Sequence, residues 1–115
     1  MEITSGYYGT FTKLTLAGQF CHYEDMIALE KHFREESTET RRLLIIDMER
    51  LTFINSQALG LLVKLYSLCE ESGGKLILYL PQSTVREVVE ISGLSGFITI
   101  VDTARDLDVA LRRFQ

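Results

Sequence analysis

Between Thr10 and Gly18 the chain alternates, with Phe11, Lys13-Leu14 and Leu16 set among threonines. A period of two predicts a half-buried strand, ended here by Gly18. A shorter strand at residues 2–5 is expected to pair with it as a hairpin through Gly6–Gly9. From Tyr23 to Glu36 the period changes: Met26, Leu29, Glu30 and Phe33 fall at helical spacing, with acids early and His32 and Arg34 late. That order of charge complements the partial charges at the ends of a helix.

LLIIDM, residues 43–48, is a short unbroken apolar run, as expected of a strand covered on both faces. A helix to Ser72 follows, capped by Asn55 or Ser56, with Leu59, Leu62, Val63, Tyr66 and Cys69 as its core stripe. Gly73-Gly74 stops it. KLILYL (75–80), closed by Pro81, and FITIV (97–101) read as two further buried strands. Between them Ser83 is expected to cap a short helix carrying Val85, Val88 and Val89 on one face and ending at Gly93. Thr103-Ala104-Arg105-Asp106 resembles a capping box with Asp in place of Glu, opening a last helix that bears Leu107, Leu111 and Phe114. Buried strands alternating with helices imply crossover connections. The expected fold class is α/β: one domain over residues 1–115, with a mixed, mostly parallel central sheet and four helices.

With 46% hydrophobic and 24% charged residues, the composition is that of an ordinary globular domain. Disordered, collagen-like and low-complexity classes drop out. The formal net charge of −4 argues against nucleic acid as the main partner, and the adjacent basic pairs are Arg41-Arg42 and Arg112-Arg113. Cys21 and Cys69 lie far apart and match no metal-ligand spacing, so neither a metal site nor a disulfide framework is expected. MEITSGYYGTF lacks a charged region followed by an apolar run, so no signal peptide is expected. Apolar stretches reach four to five residues, far short of the ~20 that cross a bilayer. The expected location is the cytoplasm, without membrane insertion.

Sites in open α/β sheets form in loops at the carboxyl ends of strands, here Gly18–Tyr23, Glu49–Ser56, Pro81–Thr84 and Asp102–Thr103. None carries GxGxxG, GxxxxGK[ST] or GxSxG. Cys21-His22 lacks a third orienting group and reads as a loop cysteine beside a surface histidine. Cys21, His22, Asp25 and His32 lack the paired spacing of a zinc site. Asp47 and Glu49, two apart at a strand end, share a face without an evident substrate pocket, so acid–base hydrolysis is unsupported. Tyr7-Tyr8 and Phe11 are not interleaved with bases and read as packing. Ser56 remains. It opens a helix, where unpaired amides and the positive end of the dipole tolerate a phosphate. From position alone, two readings stay open: a helix cap, or a hydroxyl whose modification breaks an interface.

Residues 43–111 resemble a STAS domain, the fold of bacterial anti-sigma-factor antagonists. The likeness lies in an ordered set: Asp47, Phe53-Ile54, Asn55-Ser56-Gln57-Ala58-Leu59-Gly60, Gly73-Gly74, Gly93-Leu94 and Asp102-Thr103. Gly18-Gln19-Phe20-Cys21 extends it into the first forty residues. Where the family pattern has Asp-Ser-(Ser/Thr)-Gly, this chain has Asn55, Ser56, Gln57 and Ala58, and Cys21 replaces the usual acid.

The resemblance implies a binding module rather than an enzyme, with no cofactor. It would bind an anti-sigma factor of serine-kinase fold, be phosphorylated by it at Ser56, and be reset by a PP2C-type phosphatase. The implied partner surface is Gln19, Cys21, Asn55, Ser56 and Gln57. Two alternatives remain: a non-switching STAS subunit of an ABC-type lipid-transport complex or signalling scaffold, and a small nucleotide-binding domain or enzyme.

Overall fold

In a computed structural model, which describes residues 1–36, 43–81 and 83–113, the chain first turns back on itself at Gly9-Thr10. Gly9 takes a φ of 63°, a left-handed conformation that suits a residue without Cβ. This tight turn lets β1 (Glu2–Tyr8) pair antiparallel with β2 (Phe11–Phe20) along its whole length. The first strand is therefore longer than residues 2–5, and Gly6 lies inside it. Next come α1 (Tyr23–Glu36), β3 (Leu43–Ile54), α2 (Ser56–Glu71), β4 (Lys75–Tyr79), α3 (Thr84–Ile91), a 3₁₀ turn (Leu94–Gly96), β5 (Thr99–Val101) and α4 (Ala104–Arg112). The five strands lie in the order β1-β2-β3-β4-β5, with every pair after the first parallel. The fold is a single α/β domain with a mixed, mostly parallel sheet and four helices among the described residues.

Strands added in one direction, joined by crossovers of the usual hand, put the connecting helices on one face of the sheet. The main core shows this. Leu14, Leu16, Leu44, Ile46, Leu76 and Leu78 of the sheet pack with Leu29 and Phe33 of α1, Leu62 and Leu65 of α2, and Val85 and Val89 of α3. Alternate residues face α4, where Phe11, Ile45, Ile77 and Val101 meet Leu107, Ala110 and Leu111. Tyr8 donates a short hydrogen bond from its hydroxyl to Asp108, which joins the hairpin to α4.

Several expectations need correcting. β3 does not end at Met48 but continues to Ile54. Its register with β2 slips between Thr15 and Ala17 and again between Gly18 and Gln19, each time with an extra residue on β3. The bulges break the alternation, so Leu51 and Ile54 turn inward while Glu49, Arg50, Thr52 and Phe53 are exposed. Asp47 consequently lies within the strand, 6% exposed, with Lys13 Nζ 3.2 Å away and the Glu49 amide donating to it at 3.0 Å. In α2 the buried stripe is Ala58, Leu61, Leu62, Leu65 and Cys69. Val63 is exposed, and Leu59 and Tyr66 pack only at the core's margin. Val88 of α3 is likewise exposed. β5 starts at Thr99 because the 3₁₀ turn occupies the chain just before it, leaving Phe97 exposed but edge-on to Tyr66 at 5.4 Å. Phe114 and the pair Arg41-Arg42 lie outside the described residues.

Candidate functional site

The carboxyl ends of β2 and β3 lie side by side, with Gln19 opposite Phe53 and Phe20 opposite Ile54. Every expected site residue follows from that pairing. Gln19 is exposed near the end of β2, Cys21 is half-buried just beyond it, and Asn55, Ser56 and Gln57 continue directly from β3 into α2. Gly18, at a φ of 101°, bends β2 just before Gln19 in a conformation that side chains strongly disfavour. Thr52 Oγ1 donates to the Gly18 carbonyl at 3.2 Å and ties this bend to β3.

Asn55 is the helix cap. Its backbone is extended, at φ −108° and ψ 177°, and its Oδ1 accepts the Ala58 amide at 2.9 Å. Its Nδ2 donates to the Cys21 carbonyl at 3.1 Å, and its own amide donates to the Phe20 carbonyl at 3.3 Å. Ser56 is thereby relieved of capping. It stands as the first residue of α2, exposed, and its hydroxyl has no hydrogen-bond partner among the described residues. The first turn of α2 contains no acid, so nothing on the helix itself neutralises the positive end of its dipole. Ala58, where the resembled pattern has glycine, is fully buried and contributes its methyl group to the main core.

Exposed apolar side chains border this point. Tyr23 at the start of α1 is 71% exposed, Ile27 one turn later 52%, and Phe53 beside Gln19 49%. A groove of about 720 Å³ runs between α1 and α2, lined by Tyr23, Met26, Ile27, Leu61 and Lys64 among others. Glu30 spans it, accepting from Lys64 at 2.8 Å and Arg34 at 2.9 Å. These bonds, Lys64 foremost, hold the Glu30 carboxyl below its ordinary range. Neither Phe53 nor Tyr23 stands out in the sequence as a surface residue. Phe53 lies in the bulged second half of β3, and no residue type announces those bulges.

The other candidate residues make local contacts. His22 is exposed, and its carbonyl accepts the amides of Asp25 at 3.0 Å and Met26 at 3.2 Å, opening α1. His32 lies against Ser5 of β1 at 3.5 Å. Among the described residues, no group of three His, Cys, Asp or Glu side chains is arranged to hold a metal ion. Burial raises the pKa of the Tyr79 hydroxyl, and the nearby carboxylates of Glu49, Asp47 and Asp102 raise it further. Lys13 partners Asp47 there. No described helix is long and apolar enough to cross a membrane.

A family model described as the STAS domain matches residues 4–107. Among solved structures, an anti-sigma factor antagonist from Mycobacterium paratuberculosis is 18% identical, with a TM-score of 0.83, covering 96% of this chain and 93% of its own. The anti-sigma factor antagonist SpoIIAA in its unphosphorylated form is 18% identical at a TM-score of 0.72, covering 97% and 98%. The Bacillus cell fate determinant SpoIIAA in its phosphorylated form is 21% identical at 0.70, covering 99% and 100%. These likenesses concern the fold. No curated protein sequence matches the chain.

Proposed function

Because the chain belongs to the STAS domain family, we propose that it is an anti-sigma-factor antagonist, a protein-binding module switched by phosphorylation of Ser56. With the hydroxyl free, the surface formed by Gln19, Cys21, Asn55, Ser56 and Gln57 docks to an anti-sigma factor of serine-kinase type and withholds it from its sigma factor. That kinase transfers the γ-phosphoryl group of ATP to Ser56 Oγ, releasing ADP and the hydroxyl proton, and the new dianion opposes docking. A PP2C-type phosphatase hydrolyses the ester and restores the binding form. In this reading the protein is a cytoplasmic, single-domain partner of other proteins and performs no catalysis itself.

The observation that carries the proposal is the division of labour at the start of α2. Asn55 satisfies the helix end, so the neighbouring hydroxyl of Ser56 is exposed and uncommitted. A phosphate there meets the positive end of a sixteen-residue helix, so its charge does not oppose the fold. Docking is another matter. Two added charges must be desolvated when a partner covers them, and the exposed Tyr23 and Phe53 nearby suit an apolar contact. Fold relatives known in both phosphorylated and unphosphorylated forms are consistent with this reading.

Titration calorimetry of wild type, Ser56→Ala and Ser56→Asp against a kinase-type anti-sigma factor tests it. Ser56→Ala should bind like wild type, and Ser56→Asp at least about tenfold more weakly. Equal binding by all three would remove the switch and favour a permanent interface, as in a transporter subunit or scaffold.

A further inference from the structure

We infer that Asn55 is a two-way clamp whose side-chain amide fastens the turn between β2 and α1 to the start of α2, a task that a carboxylate at the same position would not perform. Two elements remote in sequence meet at this one side chain. Oδ1 accepts from the Ala58 amide at 2.9 Å, inside α2, and Nδ2 donates to the Cys21 carbonyl at 3.1 Å, across the gap. The neighbours fix which end is which. Exchanging oxygen and nitrogen would set the NH₂ group against the Ala58 N–H and the oxygen against the Cys21 carbonyl, losing both bonds. The Asn55 backbone amide adds a third link, to the Phe20 carbonyl at 3.3 Å, and Thr52 braces Gly18 just upstream.

Asparagine and aspartate differ here in one bond. Either can cap α2, because capping requires only an acceptor oxygen. Only the amide can donate to Cys21. An aspartate would hold a charged oxygen about 3 Å from the Cys21 carbonyl oxygen, which removes an attraction and adds a repulsion. The turn would lose its hold on the helix while the helix kept its cap. In the uncharged form found here, Gln19 and Cys21 on one segment and Ser56 and Gln57 on the other are held as a single fixed surface. A partner then need not order two independent segments on binding. That consequence for docking rests on the proposed function, whereas the clamp itself belongs to the free protein.

The test accordingly uses the free full-length chain. Hydrogen exchange read by mass spectrometry compares wild type, Asn55→Asp and Asn55→Ala over two segments, residues 18–23 and residues 56–60. In Asn55→Asp the 18–23 segment should exchange roughly fivefold to tenfold faster, as loss of one net hydrogen bond implies, with residues 56–60 unchanged. In Asn55→Ala both segments should exchange faster. Wild-type exchange over 18–23 in Asn55→Asp would overturn the clamp, as would equal loosening of both segments. A measurement on wild type alone guards against a variant that fails to fold: the Asn55 side-chain NH₂ protons should exchange more slowly with water than those of an exposed asparagine. Exchange at the exposed rate would also overturn it. No partner enters either measurement, so an unphosphorylated Ser56 or an absent partner would sink the proposed switch without touching this inference.

Discussion

Asn55 and Ser56 are adjacent, both favoured at helix starts, and their roles separate only in three dimensions. The pattern narrows the cap to one of the two and goes no further, since either oxygen could reach an amide of the first turn. What decides is the Cys21 carbonyl, thirty-four residues away in sequence, which gives the asparagine amide a second partner. Elsewhere single residues are readable. Ser83 and Thr103 cap α3 and α4 as the sequence suggests, accepting from the amides of Arg86 and Asp106 at 3.1 and 3.0 Å. Cys69 supplies a test at this scale. Burial in the core, with a smaller contribution from Glu70, pushes its thiol from 9.0 up to about 11. Between those pH values the unfolded chain has lost a proton that the folded chain keeps, so stability falls as pH rises. The loss should total on the order of 2 kcal/mol by pH 11. Urea unfolding at pH 8 and pH 11 should show a smaller decline in Cys69→Ala than in wild type. An identical decline would place the cause elsewhere.

At the scale of elements, α2 shows why a correct helix can carry a misjudged face. Its sequence is so apolar that two stripes, one through Leu59, Val63 and Tyr66 and one through Ala58, Leu61 and Leu65, both satisfy helical spacing. Leu62 and Cys69 belong to either reading. The phase is set by the direct run from the end of β3 into the cap, which turns Ala58 into the core. Truncation should reveal the phase. Leu65→Ala should cost about 2–5 kcal/mol and Val63→Ala less than about 1 kcal/mol in denaturant unfolding. The reverse order would rotate the helix. β3 carries the complementary lesson. Its first half reads clearly as LLIID, but two bulges erase the period of two in its second half, which the sequence therefore presents as a loop. Those bulges carry the strand's end to Gln19 and Asn55, so the least legible stretch is the one that builds the site.

Across the whole molecule, alternating elements suffice for the α/β class and the mostly parallel sheet. They do not specify that three helices share one face and α4 alone covers the other, since that depends on the strand order. The arrangement puts the paired ends of β2 and β3 beside α1 and α2, while α4 meets the other side of the sheet. The paired ends of these two interior strands thus support an exposed hydroxyl on a surface bordered by unburied aromatic side chains. A mark made there can alter what the surface binds while the cores on either side stay packed. The most direct measurement incubates the purified chain with ATP and a kinase-type anti-sigma factor, the partner proposed above, then weighs the intact protein and maps the modified peptide. The account predicts one added phosphate on Ser56, absent from Ser56→Ala. Phosphate on another residue, or none under conditions where the two proteins bind, would contradict it.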